Sequence, residues 1–225
     1  MPGLRLDDGQ SRVQRDLDTL ALPAETENLP SAPEPLVRGS HLKEDLKSLE
    51  SLGADAATRI RGRLSPGSLR AIEEATRIEY LPIALNIEMA EAVSAEAGPQ
   101  GSRLWARTSL LSSLGGLFRP LFEAATALFN PAPSLFYKYI PQGWQMSYRG
   151  CGEIAVEELR MGETILTGRG LARAMLCDAY LVAVCGTFEA AFSVCRYEGR
   201  VDCVSVDRDA QTVEWRAEWR PAGTR

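Results

Sequence analysis

The chain has 225 residues, of which 25 are basic and 30 acidic, so its net charge near neutral pH is -5. This length and a hydrophobic content of 45% predict one domain with a sizeable core plus a tail, and argue against two domains. The acidic balance and the lack of a basic block argue against nucleic acid and anionic lipid surfaces as partners.

The first 35 residues are polar, acidic and spotted with proline. This composition predicts a disordered tail, with a docking peptide as the alternative. Met1–Gln10 carries charges where a secretory signal needs an apolar run, so we expect no signal peptide. The five cysteines form no Cys-x-x-Cys pair and are interpreted as reduced, buried thiols of a cytoplasmic protein.

A series of helices is predicted from residue 36 onward. Leu36–His41 is interpreted as a short strand entering a helix, with Ser40 as the cap of that helix and Gly53 as its end. Ser65 and Pro66 begin the next helix, because serine caps well and proline suits the first helical position. Further helices are predicted to start at Pro82, Ser102 and Pro120, with breaks at Gly98-Pro99, Gly115-Gly116 and Pro131 to Pro133.

The C-terminal part of the chain carries the period-two patterns that are typical of strands. Two short strands are predicted at Trp144–Arg149 and Glu153–Arg160, and a closing pair at Val201–Asp207 and Thr212–Trp219. A long apolar helix, roughly Arg173–Tyr197, separates the two pairs. We therefore predict that residues 36–225 form a single α+β domain. Its helices pack on one side of a small antiparallel sheet, and the long apolar helix lies between two strand pairs.

This long helix raises the question of a membrane span. The stretch from Leu176 to Cys195 has only Asp178 and Glu189 as charged residues. Its polar interruptions bring it below the length rule for a transmembrane helix. We expect a buried core helix and no membrane span.

Few residues in the sequence indicate chemistry. The only histidine, His41, lies at the start of the ordered region, so neither a nucleophile–histidine triad nor a zinc site of usual spacing can be assembled. Cys151, between two glycines, is the thiol expected to be most exposed, and Arg149 could lower its pKa; the alternative is a turn residue without a chemical role. We predict no catalytic residue, no metal and no cofactor.

A glycine-containing stretch, Thr167-Gly168-Arg169-Gly170, is interpreted as a loop. No apolar strand is predicted to lead into it, so it is only weak support for a phosphate-binding loop.

The order of motifs in this chain resembles that of one known superfamily. The motifs are Val37-Arg38-Gly39-Ser40, several helices, Tyr148-Arg149-Gly150, a long helix with Gly186 and Glu189, Gly199, and a terminal hairpin ending at Trp219. The superfamily holds haem–nitric-oxide-binding domains, 4-vinyl-reductase-like domains and vesicle-tethering transport-particle subunits. The resemblance covers roughly Leu36 to Trp219 and is closest to uncharacterised bacterial members, many from deltaproteobacteria. It implies the fold and an apolar pocket between helices and sheet.

Two departures limit what the resemblance implies about ligands. The 4-vinyl-reductase-like members often carry a Cys, Gly-Asp, Cys pattern in the closing hairpin, where this chain has Asp207-Arg208-Asp209-Ala210. Haem-binding members use a helical histidine as axial ligand and a Tyr-x-Ser-x-Arg clamp for the propionates. This chain has no histidine after His41 and no such motif. The resemblance therefore does not carry over haem, zinc or reductase activity.

The function we expect is that of a non-enzymatic, cytosolic regulatory or scaffold module that binds a small apolar molecule, a partner protein, or both. The alternative is a small-molecule enzyme related to tetrapyrrole vinyl reduction. The predicted pocket is lined by large apolar side chains, namely Phe122, Phe129, Phe136, Tyr139, Trp144, Leu181, Phe188 and Phe192. These side chains could instead simply fill the core.

A homodimer is predicted from the helices at Ile83–Val93 and Leu104–Leu114, which carry apolar residues on more than one face. A sheet buries one stripe of a helix, so a second stripe needs another partner. Leu85 and Met89 mark the predicted dimer surface. The alternative partner for this stripe is a neighbouring helix of the same chain.

Overall fold

The computed structural model of the protein describes residues 34–114 and 131–223. Its helices are α1 (Gly39–Ser48), α2 (Ala54–Arg63), α3 (Pro66–Glu74), α4 (Ile83–Leu114), α5 (Pro133–Tyr137), α6 (Ile140–Ser147) and α7 (Asp178–Cys195), with 3-10 turns at Leu49–Leu52 and Arg173–Leu176. Its strands are β1 (Leu36–Arg38), β2 (Tyr80–Pro82), β3 (Tyr148–Arg149), β4 (Glu153–Arg160), β5 (Glu163–Arg169), β6 (Tyr197–Asp207) and β7 (Thr212–Pro221). The predicted tail, apart from Glu34 and Pro35, and the helix predicted to start at Pro120 lie outside the described residues.

The described strands form two antiparallel sheets. The smaller has the order β2-β1-β3 and the larger the order β4-β5-β7-β6. Helix α7 follows the pair β4–β5 and precedes the pair β6–β7. The α+β class, and the long apolar helix between two strand pairs, are therefore confirmed.

The composition of the first strand pair differs from the prediction. β4 matches the predicted strand, but its partner is β5, whose C-terminal part is interpreted from the sequence as a loop because of Gly168. Gly168 lies within β5, and a Cβ there would come within about 3 Å of the Trp215 ring and of the Leu171 side chain. This glycine therefore makes room for the packing of a neighbouring side chain inside a strand. In the sequence, the same glycine indicates a loop.

The predicted strand Trp144–Arg149 is wrong over most of its length. Residues up to Ser147 belong to α6, which has a proline in its first turn, and only Tyr148–Arg149 is strand. The alternation of apolar residues that indicated a strand is short. Pro141, in the first turn, favours a helix because the fixed φ of proline suits the first helical positions.

The helix boundaries follow the predicted capping residues in part. The Ser65 side chain accepts a hydrogen bond from the Ser68 backbone N–H at 3.1 Å, as predicted. The predicted cap at Ser40 is wrong, because α1 begins at Gly39 and Ser40 uses its backbone N–H to donate to the Arg77 carbonyl oxygen. At Gly98, whose φ of 65° is non-helical, and Pro99, a kink separates α4 into two helical segments, so the break predicted there is confirmed.

The centre of the fold is the crossing of α4 and α7. Gly186 of α7 lies directly on the backbone of α4, since a Cβ at this glycine would overlap the carbonyl oxygen of Arg103. The Arg103 guanidinium donates to the buried carboxylate of Glu189 and, at 2.6 Å, to the Val201 carbonyl oxygen. The arginine thereby joins α4, α7 and β6, which places the long apolar helix in the interior.

By length and composition alone, α7 could cross a membrane, and 67% of it is buried inside the protein. Its neighbours are α4, α5 and β6. In this fold α7 is a core helix, which explains why it is apolar nearly all round.

The residues predicted for a dimer surface are both packed within the chain. Met89 has no exposed surface and therefore lies in the core, which contradicts its prediction as a surface residue. Leu85 is partly buried and packs against the same core. The physical reason is that α4 contacts α1, α2 and α7, so neighbouring helices of the same chain cover its second apolar stripe.

Candidate functional site

A cavity of about 790 Å³ lies among α1, the C-terminal half of α4, α5, α6 and α7. The described residues that line it are His41, Leu110, Leu114, Pro131, Leu135, Phe136, Tyr139, Ile140, Gln142, Gly143, Trp144, Met146, Ser147, Tyr148, Val184, Thr187, Phe188 and Cys195. This volume is within the usual range for small-ligand sites, which are concave and mostly apolar with a few polar groups. The cavity is therefore the candidate functional site.

Two short helices form one side of the cavity, and hydrogen bonds fix both. The Tyr137 hydroxyl of α5 donates to the Phe188 carbonyl oxygen at 3.2 Å, which ties α5 to α7. The Trp144 indole of α6 donates to the Gly152 carbonyl oxygen at 3.1 Å. Leu135 and Tyr139 are at least half exposed, which places the mouth of the cavity beside these helices.

The predicted pocket residues divide into three groups. Phe136, Tyr139, Trp144 and Phe188 line the cavity. Leu181 and Phe192 are buried in the core and do not line it. The Phe192 ring packs against the rings of Tyr137 and Trp219 instead. Phe122 and Phe129 are outside the described residues.

The polar residues of the cavity were missed by sequence reasoning. His41 carries no signal as a lone histidine, and Tyr148 has no predicted role beyond its strand, yet both line the cavity. The one local signal is the spacing of His41 and Asp45, which is i,i+4 and therefore puts both side chains on one face of α1.

A buried carboxylate organises this polar end of the cavity. Asp45 is only 3% exposed, and its carboxylate accepts hydrogen bonds from the Asn86 amide at 2.8 Å and from the Ser109 hydroxyl. Its backbone carbonyl oxygen accepts from the Trp105 indole at 2.8 Å. His41 Nε2 lies 3.4 Å from the same carboxylate. The interactions of Asp45 therefore join α1 to α4 and fix the orientation of the imidazole.

Two tyrosines extend the polar cluster toward the cavity. The Tyr148 hydroxyl is 3.0 Å from His41 Nε2. The Tyr180 hydroxyl donates a hydrogen bond to the Tyr148 hydroxyl oxygen at 3.3 Å. Burial raises the pKa of both phenols above the ordinary value, so both remain protonated at neutral pH. Tyr148 is further held by the Trp144 ring, whose centroid lies 4.2 Å from its own.

A second, much smaller void adjoins the cluster. Its volume is about 20 Å³, enough for one water molecule, and its lining includes His41, Asp45, Asn86, Tyr148 and Tyr180. His41 and Tyr148 line both spaces. The polar cluster therefore faces the apolar cavity on one side and a water-sized void on the other.

The thiols in and near the cavity are protonated at physiological pH. Burial raises the pKa of Cys195, which lines the cavity, to about 11, so it is a neutral thiol at physiological pH. Cys151 was expected to be the most exposed thiol, but it is buried. Burial raises its pKa to about 11, although Arg149 lies nearby in sequence. Within residues 34–114 and 131–223, no three His, Cys, Asp or Glu side chains are grouped to hold a metal ion.

Comparison with solved structures gives neighbours of one fold. An H-NOX protein from K. algicida, in its Fe(II) unliganded form, matches with a TM-score of 0.56 and 11% identity, covering 84% of this chain and 99% of that one. A substituted variant of Tt H-NOX matches with a TM-score of 0.55 and 14% identity, covering 84% and 98%. An oxygen-binding H-NOX domain related to soluble guanylate cyclases gives 0.55 and 12%, with 84% and 98% covered.

No protein-family model matches the sequence, and no curated protein matches it significantly. At 11–14% identity, the structural likeness concerns the fold alone. The chain therefore has an H-NOX-like fold.

Proposed function

We propose that this protein is a non-enzymatic sensor module that binds a small apolar molecule in the cavity of about 790 Å³. The observation that carries the proposal is this cavity, with apolar walls and one polar cluster, in which His41 and Tyr148 are positioned by buried groups. A fold whose solved neighbours include an oxygen-binding domain adds support for a role in ligand sensing.

Haem, which the H-NOX fold implies, does not fit the described lining. Haem iron takes a histidine, a cysteine thiolate, a methionine or a tyrosine as axial ligand. His41 Nε2 already lies against Asp45 and Tyr148, and Cys195 is protonated because burial raises its pKa to about 11. Tyr139 and Met146, which also line the cavity, are 61% and 63% exposed and so point mainly to solvent. The described lining also contains no arginine or lysine that could pair with propionates. We therefore derive no role for haem in this protein.

An enzyme related to tetrapyrrole vinyl reduction is the less favoured alternative. Catalytic groups need pKa values near the working pH, or a base beside the nucleophile. Burial shifts the pKa of the Tyr148 phenol and of the Cys195 thiol away from neutral pH. These groups are suited to donating hydrogen bonds, which supports binding over catalysis.

The binding proposal is tested with Nile red, a neutral dye whose fluorescence rises in apolar surroundings. Leu110→Trp adds volume inside the cavity, whereas Leu104→Trp makes the same change on an exposed position of the same helix. We expect the wild type and Leu104→Trp to bind the dye alike, and Leu110→Trp to bind it about tenfold more weakly. Native mass spectrometry of freshly purified protein adds a search for a retained ligand. Equal dye binding by all three proteins would contradict the proposal.

We also infer a cytoplasmic location and a protein partner that responds to the occupied module. A ligand-sensing module changes a cell's state only through another molecule, and a ligand shifts such an equilibrium only if it prefers one state. Affinity capture from the native cell, compared between wild type and Leu110→Trp, tests this inference. A partner captured equally by both proteins would contradict the link to the cavity.

A homodimer stays a prediction. Met89→Glu is unsuitable as a test because it places a charge in the core, so the surface variant is Leu104→Glu, at a leucine that is 37% exposed. We expect the wild type to be dimeric in sedimentation equilibrium at about 50 µM, and the variant to be more dissociated. A monomeric wild type at this concentration would show the prediction to be wrong.

A further inference from the structure

We propose that the Tyr148 hydroxyl is a polar subsite of the cavity, and that it donates a hydrogen bond to one uncharged acceptor oxygen of an otherwise apolar ligand. The proposal rests on the proposed function and names the chemical class of its ligand: a neutral apolar molecule with a carbonyl or ether oxygen. Three features support it: the hydrogen atoms of the polar cluster, the charges around it and the composition of the cavity wall.

In the polar cluster of Asp45, His41, Tyr148 and Tyr180, the hydroxyl hydrogen of Tyr148 has no acceptor within the cluster. The Asp45 carboxylate lies 3.4 Å from His41 Nε2, which favours the tautomer with its hydrogen on Nε2. In that tautomer the single hydrogen on Nε2 is shared between the Asp45 carboxylate, at 3.4 Å, and the Tyr148 oxygen, at 3.0 Å. The Tyr148 oxygen also accepts from the Tyr180 hydroxyl at 3.3 Å. A hydroxyl has two acceptor positions and one hydrogen. With both acceptor positions in use, the hydrogen of Tyr148 is left to donate.

The charge of the cluster selects an uncharged acceptor. Asp45 is a buried carboxylate whose described partners are an amide, a hydroxyl and an imidazole. The lining described for the cavity has no lysine or arginine. An anionic head group beside Tyr148 would lose its hydration without gaining a counter-ion, and this loss is unfavourable. A carbonyl or ether oxygen accepts the same hydrogen bond without that loss.

The position of Tyr148 limits the rest of the ligand to apolar groups. Beyond Tyr148 the cavity wall consists mainly of aliphatic and aromatic side chains, among them Phe136, Ile140, Val184 and Phe188. A second hydrogen-bonding group of the ligand that is placed against these apolar side chains would lose water without gaining a partner. A ligand with one acceptor on an apolar body is therefore the chemical complement of the cavity.

Three naphthalene probes of nearly equal size test the proposal by competition with Nile red. They are 2-acetylnaphthalene, with an acceptor; 2-ethylnaphthalene, without one; and 2-naphthoate, an anion. We expect the wild type to bind the acetyl compound roughly three- to tenfold more tightly than the ethyl compound, and the anion most weakly. A wild type that binds the acetyl and ethyl compounds equally, or prefers the anion, overturns the proposal.

The subsite is assigned with two variants that make the same chemical change in the same cavity. Tyr148→Phe should abolish the preference for the acetyl compound and keep the affinity for the ethyl compound. Tyr139→Phe, at an exposed lining tyrosine, should keep the preference. A preference that survives in Tyr148→Phe overturns the assignment.

An infrared measurement on the wild type keeps the test independent of how the variants fold. The carbonyl stretch of bound 2-acetylnaphthalene should lie at lower frequency than in an alkane solvent, because a hydrogen bond weakens the C=O bond. An unshifted carbonyl band overturns the proposal. If none of the probes and no Nile red binds, the proposed function itself fails, and this outcome is distinct from binding without preference.

Discussion

At the scale of single residues, the described chain places its polar side chains where they organise a ligand cavity. Asp45 is the centre of this arrangement, because its side chain and backbone receive donors from α1 and α4. His41 and Tyr148 come 107 positions apart in sequence and meet at 3.0 Å. Stability and the proposed binding therefore depend on the same few residues.

Asp45→Ala is expected to lower the free energy of unfolding by about 2–4 kcal/mol. The substitution leaves the buried Asn86 amide and the Ser109 hydroxyl without their acceptor, and each unsatisfied group costs about 1–3 kcal/mol. Chemical denaturation of the variant beside Asp209→Ala measures the effect. Asp209 lies exposed in the hairpin loop, so its substitution should change stability by less than about 0.5 kcal/mol. Equal effects of the two substitutions would contradict the role given to Asp45.

The buried thiols predict a loss of stability at alkaline pH. Burial raises the pKa of Cys151 and Cys195 to about 11 and that of Cys185 to about 12, whereas an unfolded cysteine ionises near about 8.5. Because the folded pKa is the higher one, the stabilisation is complete below the unfolded pKa. It is then lost as the pH rises through the folded value. We expect the free energy of unfolding to fall steadily from about pH 8.5, the unfolded pKa, to about pH 12, the folded pKa of Cys185.

Urea unfolding at steps of pH measures this decline. Cys185→Ala, which removes one of the titrating thiols, should show a shallower slope than the wild type even if it is less stable throughout. A slope that is identical in both proteins would assign the decline to other groups, such as the buried tyrosines.

At the scale of elements, the contact between α4 and α7 decides the geometry of the core. Gly186 brings the two backbones together, and the ion pair of Arg103 with Glu189 fixes their relation to β6. The cavity is bounded by both helices, with Leu110 on α4 and Val184 and Phe188 on α7. A change in this crossing therefore changes the cavity as well as the stability.

Gly186→Ala is expected to destabilise the protein by about 1–3 kcal/mol, because the added methyl group meets backbone atoms of Arg103 that cannot move aside separately. Gly62→Ala is the matched control, since Gly62 is an exposed helical glycine with no atom within 4 Å of the added Cβ. That control should stabilise by about 0.5–1 kcal/mol, as alanine is the better helix former. Thermal denaturation of both variants measures the difference. Stabilisation by both substitutions would rule out the close crossing.

At the scale of the whole molecule, an H-NOX-like fold here encloses a cavity whose described lining is unsuited to haem. The fold supplies the enclosed space between α1, α4 and α7. The side chains decide which ligand can use it. Their neutral donors and the lack of described basic residues in the lining favour an uncharged molecule.

Titration with hemin tests the expectation that the cavity does not bind haem. We expect no sharp Soret band at one-to-one stoichiometry, since His41 is hydrogen-bonded, Cys195 is protonated, and the other lining residues of ligand type, Tyr139 and Met146, are exposed. Myoglobin apoprotein serves as the positive control for reconstitution. A one-to-one complex that is abolished by His41→Ala would show this prediction to be wrong and would reassign the cavity.

Local patterns in the sequence predicted the elements whose signals are short in range. The alternation in β4, β6 and β7, the charge-poor run of α7 and the cap at Ser65 each depend on neighbours within a few residues. These signals were sufficient for the α+β class and for a long core helix. They failed at Gly168. Glycine usually indicates a loop, but here it is required inside a strand, because the ring of Trp215, far away in sequence, occupies the space that a side chain at position 168 would need.

The site itself was decided by tertiary structure. The predicted aromatics Phe136, Tyr139, Trp144 and Phe188 do line the cavity, because large apolar side chains on packed helices tend toward common interior space. His41 gave no such signal: its role depends on Tyr148, which a different element delivers from the other half of the chain. Composition and periodicity determine which side of an element is buried. Only the packing of whole elements decides whether the buried face meets another side chain or encloses a cavity, because a cavity belongs to the space between elements.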